Sequence, residues 1–307
     1  MSKSKIKTET KLDLTTAITA SLFRLYNEWT CGTQELIDRT IKNNENAIVK
    51  PPLLSRINHQ IKKIKIFGYD CWVITPRWRK SEHCFMYVHG GGFIMEITLF
   101  HWLFITKLVN KTRCTVFVPI FPLSKKDYSS IQDDIKCLLG TYQYILNSYR
   151  NDQISIIGDS AGGCLTLVIG QQIKKEKLPP PKNLICLSPL VDSTHTEYEL
   201  VEGSEKDAVL PYALLSTAAV YHIPPKADVR NHIYSPINGD FKNIGMVTIF
   251  IGTKEAFYEQ NLQLHNKLDK LHIKHNFYVG EGLFHVWPLF AIPPSKTSIV
   301  QIAALLK

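Results

Sequence analysis

The sequence lacks any C-x-x-C pair. Its seven cysteines, Cys31, Cys71, Cys84, Cys114, Cys137, Cys164 and Cys186, are odd in number, which argues against a zinc site and against a secreted disulfide framework. Several sit in apolar runs, as buried free thiols do, so a reducing compartment is expected. No apolar stretch reaches the roughly 20 residues that a bilayer demands. The longest, Leu99 to Val109, is interrupted by His101 and Lys107. The opening Met1 to Lys11 is polar and carries no apolar core of a secretory leader. The expectation is a cytoplasmic protein without a stable membrane anchor. Internal repeats and low-complexity linkers are missing too, so nothing obvious divides the chain.

Acidic residues are the minority charge, 27 against 36 basic ones, for a formal net charge of +9. Such a balance can serve nucleic acid, a membrane surface or an acidic ligand. Here the lysines are scattered. The densest stretches, Lys3 to Lys11 and Lys62 to Lys65, carry no interleaved aromatics. No nucleic-acid module signature accompanies them, so a solvated basic surface is expected and no nucleic-acid partner.

What remains is an ordinary globular composition, 45% apolar over 307 residues, enough for one large core with a lid or for two small domains. Leu14, Ile18, Leu22, Leu25 and Trp29 recur at helical spacing and predict a helix whose apolar face is core or lid. A second short helix is expected around Gln34 to Ile41, broken by Pro51 and Pro52. From Ile61 onward the texture becomes short apolar runs. Ile64 to Phe67 and Cys71 to Thr75 predict a strand pair turning at Gly68-Tyr69-Asp70. Strands are then expected at Cys84–Val88, Cys114–Pro119, Ile154–Ile157, Leu184–Leu187, Met246–Ile251 and His275–Val279. Helices fall between them at Leu99–Asn110, Ile131–Tyr149, Ala161–Lys174 and Glu255–Leu271, with a last one from about Lys296. Alternating strands and helices imply an α/β protein with a mostly parallel sheet and an antiparallel edge. In such sheets chemistry gathers at the carboxyl ends of the strands.

Two motifs stand there. Gly158-Asp159-Ser160-Ala161-Gly162-Gly163 follows a strand and opens a helix. A sharp strand-to-helix turn projects a serine hydroxyl outward, and flanking glycines let the chain pass. The helix N-terminus behind it favours developing negative charge. His89-Gly90-Gly91-Gly92-Phe93 follows the strand Cys84–Val88. Ester cleavage passes through a tetrahedral oxyanion, and glycine-rich backbone can bring free N–H groups to that oxygen. Gly91, Gly92 and Ala161 are the expected donors. His89, Gly90, Gly158, Asp159 and Gly162 support the two turns.

A serine hydroxyl needs a base, and histidine has a suitable pKa. His285, just beyond the last strand, is the expected one. His272 sits at a helix end, His275 begins a strand, and His89 braces the Gly-rich loop. A carboxylate should fix the imidazole tautomer. Glu255, after the strand Met246–Ile251, has that place, with Glu259 one helical turn later in reserve. Asp192 and Asp207 come earlier and suit a turn or lid. The order Ser160, Glu255, His285 is the one that strand–turn–helix serine hydrolases follow.

The two glycine motifs resemble those of the hormone-sensitive-lipase-like branch of α/β-hydrolases. The segments His101-Trp102, Pro119-Ile120-Phe121-Pro122-Leu123, Leu187-Ser188-Pro189-Leu190-Val191-Asp192 and Phe250-Ile251-Gly252-Thr253-Lys254-Glu255 are similar to bacterial cytoplasmic members. The resemblance spans roughly residue 60 to the end. It implies a three-layer α/β/α fold with an eight-stranded sheet and a helical cap. Residues 1–58 would form an N-terminal cap region, 59–307 the catalytic domain, and about 193–235 a cap insertion. It further implies a serine carboxylesterase acting on small acyl esters of short to medium chain, with an acid at the position of Glu255. No metal or organic cofactor is required by this chemistry, and a homodimer is compatible with it. A deacetylase, amidase or peptidase would use the same machinery. A hormone-receptor-like binding protein is the non-enzyme alternative, though related plant receptors have lost the catalytic histidine that His285 supplies here.

Overall fold

The computed structural model describes residues 6–9, 13–30, 35, 38, 42, 50–52, 57–123, 131–194 and 197–307. The helix expected at Gln34 to Ile41 lies largely outside them. Nine strands form one sheet: β1 (Ile6–Glu9), β2 (His59–Ile66), β3 (Tyr69–Pro76), β4 (Cys84–Val88), β5 (Thr115–Pro119), β6 (Ile154–Asp159), β7 (Asn183–Leu187), β8 (Met246–Gly252) and β9 (His275–Gly280). Their spatial order is β1-β9-β8-β7-β6-β4-β5-β3-β2. Only β3 runs against its neighbours; every other pairing is parallel. Eight of these strands are the expected sheet, and β1 adds a ninth through its pairing with β9, Ile6 opposite Phe277.

The helices are α1 (Leu14–Thr30), α2 (Leu99–Thr112), α3 (Ile131–Leu146), α4 (Ala161–Lys175), α5 (Glu197–Lys206), α6 (Tyr212–His222), α7 (Tyr258–Lys270) and α8 (Pro293–Ala304). Strand alternation sorts the core into two halves. Cys84, Met86 and Val88 of β4 face a cluster built with Leu138 of α3, Leu165 of α4 and Leu264 of α7. Phe85 and Tyr87 face the opposite cluster, with Phe104 and Leu108 of α2 and Ile299 and Ile302 of α8. Helices therefore cover both faces, as a parallel sheet without a solvent side requires.

Three expectations are corrected. The β2–β3 turn is Phe67-Gly68, with φ of 49° and 89°. Two left-handed residues match the twist of the flanking strands, so Tyr69 and Asp70 stay in the ladder opposite Ile66 and Lys65. The helix expected from Glu255 begins only at Tyr258, for reasons given with the site below. The third is the first part of the apolar stripe of α1; the side chains of Leu25 and Trp29 lie outside the described residues. Leu14, Ile18 and Leu22 are 76%, 52% and 62% exposed, while Thr16 is buried and Ala20 packs against the core. In the described part of the helix it is the small side chains of Thr16 and Ala20 that face inward. Asp13 caps it, accepting the Thr16 N–H at 3.0 Å.

This division predicts a contrast in urea unfolding. Phe85→Ala, at a fully buried position on a central strand, should cost about 3–5 kcal/mol. Leu22→Ser should stay within about 0.5 kcal/mol of the parent.

Candidate active site

β4 and β6 are paired, Val88 opposite Gly158, although the chain visits β5 between them. Helical connections leave this point toward opposite faces, α2 after β4 and α3 after β5, and a crevice opens at the carboxyl ends. The loops that follow β4, β6, β7, β8 and β9 stand side by side along it. They carry, in order, Gly90–Gly92, Ser160, Ser188, Glu255 and His285.

Ser160 is the single residue between β6 and α4. Its φ of 52° and ψ of −120° lie in a region that residues with a Cβ seldom adopt. The turn is tied down by the Ser160 N–H to the Leu187 carbonyl at 2.8 Å, and by the Cys164 N–H to the Ser160 carbonyl at 3.0 Å. Close approach explains the neighbouring glycine: a Cβ on Gly162 would collide with the carbonyls of Val88 and His89. The N-terminus of α4 places the positive end of its dipole beside the hydroxyl.

His285 Nε2 lies 2.8 Å from Ser160 Oγ, and His285 Nδ1 lies 2.8 Å from Glu255 Oε2. All three residues are buried. Glu255 Oε1 accepts the Ser188 hydroxyl at 2.9 Å and the Gly252 N–H. Glu255 stands in the turn between the end of β8 and the start of α7 at Tyr258, held there by these two bonds and by His285. Burial opposes charge on His285, but the hydrogen bond and charge of Glu255 outweigh it, aided by Asp207 and Asp159, and raise its pKa above the ordinary 6.5. Burial also pushes Glu255 upward, opposed by its bond to His285. Glu259, the reserve, is on α7 and does not line the cavity.

Two supporting residues do more than the sequence reading assigned, which gave Ser188 no role and Asp207 a place in a turn or lid. Ser188 donates to Glu255 and accepts the Val286 N–H at 2.9 Å, so it joins the acid loop to the base loop. Asp207, between α5 and α6, is buried. It accepts the N–H groups of Ala256 at 3.0 Å and Val209 at 2.9 Å, with the His285 N–H at 3.5 Å. It thus touches the residues following Glu255 and the backbone of His285. Asp192, by contrast, caps a local turn through Thr194.

Asp159 points away from the hydroxyl beside it. Its carboxylate accepts the Tyr87 hydroxyl at 2.6 Å and His101 Nε2 at 3.1 Å. His101 Nδ1 accepts the Thr98 N–H at 2.9 Å, which leaves the ring proton on Nε2, facing Asp159. Burial pushes Asp159 upward, yet His101 and the Tyr87 bond prevail and hold it below its usual range. His89 donates from Nδ1 to the Gly90 carbonyl at 2.8 Å and stacks on Phe121 at 4.4 Å. Burial lowers its pKa to about 4. Gly91 and Gly92 adopt φ of 116° and 60°, open to glycine alone without strain. Their N–H groups and that of Ala161 make no hydrogen bond among the described residues, and all three residues line the cavity.

That cavity has a volume of about 260 Å³ and opens over Ser160 and His285. Its walls are mostly apolar: Phe93, Leu210, Leu214, Leu215, Leu289 and Phe290. A possible metal ligand set lies elsewhere. His265, Asp269 and His275 offer atoms within 4.8 Å of one another, but none lines the cavity, and His265 Nδ1 and His275 Nε2 are already hydrogen-bonded at 2.8 Å.

Asp207 is one of the groups that raise the His285 pKa. In Asp207→Asn that pKa, followed by NMR of the imidazole protons, should fall. An unchanged titration would remove Asp207 from the electrostatics of the site.

Comparison with known proteins bears on the fold. The pattern of the alpha/beta hydrolase fold family matches residues 85–289. An esterase of Acinetobacter venetianus is 23% identical over 286 residues, 88% of this chain and 93% of its own. A triacylglycerol lipase of Mycobacterium tuberculosis is 31% identical over 143 residues, 46% of this chain and 32% of its own. Among solved structures, EstE5 superposes with a TM-score of 0.83 at 21% identity, covering 96% of this chain and 98% of EstE5. EstE7, a hormone-sensitive-lipase homologue from a metagenome library, superposes with a TM-score of 0.81 at 20% identity, covering 97% and 98%. The chain belongs to the α/β-hydrolase fold family, and its likeness within that family runs to esterases and hormone-sensitive-lipase homologues.

Proposed function

We propose that the chain is a serine carboxylesterase in which Ser160 is the nucleophile, His285 the base and Glu255 the acid. The continuous contact Ser160–His285–Glu255, opening on an apolar cavity, is the observation that carries this reading. His285 takes the Ser160 proton as the hydroxyl attacks the ester carbonyl. The tetrahedral oxyanion is held by the N–H groups of Gly91, Gly92 and Ala161, each worth about 3 kcal/mol of barrier. Glu255 keeps the imidazole in the productive tautomer and stabilises the imidazolium. His285 then protonates the departing alcohol, and water releases the acid from the acyl-enzyme.

A cavity near 260 Å³, at the small end for ligand sites, supports short- to medium-chain acyl esters. Residues 193–235 act as the cap: Leu214, Leu215 and Ala218 of α6 wall the cavity. The N-terminal region joins that cap through α1, where Arg24 reaches the Glu205 carbonyl at 3.5 Å. A cytoplasmic setting is supported by six buried cysteines without a disulfide among the described residues. Burial raises the Cys71 thiol to about 12. No helix among the described residues is long and apolar enough to cross a membrane.

Ser160→Ala should abolish fluorophosphonate labelling and lower kcat on p-nitrophenyl butyrate by at least about 10⁴-fold. Unchanged hydrolysis in that variant would remove Ser160 as the nucleophile and favour the receptor-like reading. A panel of esters, amides and acetylated sugars addresses the other hydrolases, and faster amide than ester turnover would decide for an amidase. The free-enzyme pH profile gives a third check. His285 must be neutral to accept a proton, and its pKa is raised. kcat/KM should therefore be lost as pH falls through a midpoint above 6.5, the ordinary imidazole value.

A further inference from the structure

One wall of the cavity breaks the apolar pattern. His222, the last residue of α6, lines it and is 4% exposed. Its ring lies flat on Phe93, centroids 3.5 Å apart and planes within 5°, and meets Tyr234 edge-on at 5.6 Å. Both ring nitrogens are buried, and neither has a hydrogen-bond partner among the described residues. Stacking alone gives no reason for an imidazole here. A phenyl ring would stack equally well and would bury no polar atoms, whereas unpaired buried nitrogens cost stability. Other buried histidines of the chain do have partners: His101 on Asp159, His265 on His275.

The position of His222 is tied to the reacting centre. Leu214, Ala218 and His222 are spaced by four residues and share one face of α6. That face lies on the Gly-rich loop, because a Cβ on Gly92 would come within 3.1 Å of Ala218 and 3.8 Å of Leu214. The next residue in the loop is Phe93, on which His222 stacks. Ser160, Gly91, Gly92, Phe93 and His222 line the same cavity, so an ester seated over Ser160 with its carbonyl oxygen at Gly91 and Gly92 has the Phe93–His222 wall within the space open to one of its arms.

We propose that His222 is a substrate-recognition residue, and that the preferred substrates are esters bearing an uncharged oxygen function, a hydroxyl or a keto group, remote from the scissile bond. The inference rests on the ester-hydrolase reading above. Burial lowers the His222 pKa to about 3, so the ring is a neutral one-donor, one-acceptor group. Such a ring matches a hydroxyl or carbonyl. Among the described residues no Lys or Arg lines the cavity, so a carboxylate would lose its hydration in apolar surroundings without an ion pair.

The test uses two matched substrate pairs. One places the oxygen on the acyl side, p-nitrophenyl 5-oxohexanoate against p-nitrophenyl hexanoate. The other places it on the alcohol side, 5-oxohexyl butyrate against hexyl butyrate, followed by acid release. In the parent protein, the kcat/KM ratio within one pair should favour the keto ester by about tenfold beyond its ratio in alkaline hydrolysis, the size of one good hydrogen bond. His222→Phe should collapse that ratio to the alkaline value, and His222→Gln, which keeps a donor and an acceptor, should retain part of it. The ratio is insensitive to a fall in the folded fraction, which affects both members equally; if the Phe variant does not fold, the Gln variant and His222→Leu provide the comparison. A parent without preference in either pair, or a preference that survives in His222→Phe, overturns the proposal. So does a His222→Phe variant with a markedly lower Tm and an unchanged ratio, since His222 would then be a packing residue. If the parent hydrolyses none of the esters and does not react with a fluorophosphonate, it is the esterase reading that has failed, and this one with it.

Discussion

The site depends on one backbone constraint, the turn that holds Ser160 at φ 52°. A residue with a Cβ adopts that conformation only where its surroundings leave no other. Here the strand before it, the helix after it and the carbonyl of Leu187 beside it remove the alternatives. The strain is local, whereas its support comes from the whole sheet. β6 lies between β4 and β7, so the Gly-rich loop approaches from one side and the acid and base loops from the other. The glycines around Ser160 are what allow backbones to come so near.

Around that turn the polar groups form two separate networks. On one side, Asp159 is occupied by Tyr87 and His101, which lock the start of α2 to the end of β6. On the other, Ser188 and Asp207 bind backbone N–H groups of the loops that carry Glu255 and His285. A buried network is favourable only when its members are satisfied. Here the carboxylates of Asp159, Glu255 and Asp207 each accept at least two hydrogen bonds. Because Asp207 belongs to the segment that also provides α6, the wall of the cavity and the alignment of the imidazole are mechanically linked.

Most of the fold was legible because parallel strands buried on both faces leave continuous apolar runs, as in Cys84–Val88 and Met246–Gly252. Ser160, Glu255 and His285 were legible as residues because their order and their places after strands are local facts, and the structure brings them within hydrogen-bond distance of one another. The start of α7 differs from the periodicity because that pattern continues through Glu255, whereas the carboxylate is engaged by the distant Ser188 and His285 in the turn before the helix. The bonds of Ser188 and of Asp207, expected only in a turn or lid, were not legible because their partners lie 98 and 49 residues away, beyond any spacing rule. His222 escaped for a different reason: an unpaired buried nitrogen has no sequence signature. Leu14, Ile18 and Leu22 of α1 meet solvent, since periodicity reports an apolar face and not what that face meets.

The borders of the sheet have a bearing on how copies of the molecule treat one another. At one border β1 covers β9. At the other, β2 displays Lys62, Lys63 and Lys65 toward solvent, with Lys63 and Lys65 paired to Asp70 at 2.6 and 3.1 Å. Unpaired strand margins invite cross-strand aggregation, and lysine is a usual deterrent. Part of the surplus of positive charge thus has a colloidal role: at this border it discourages the growth of a continuous ribbon from one protomer into the next.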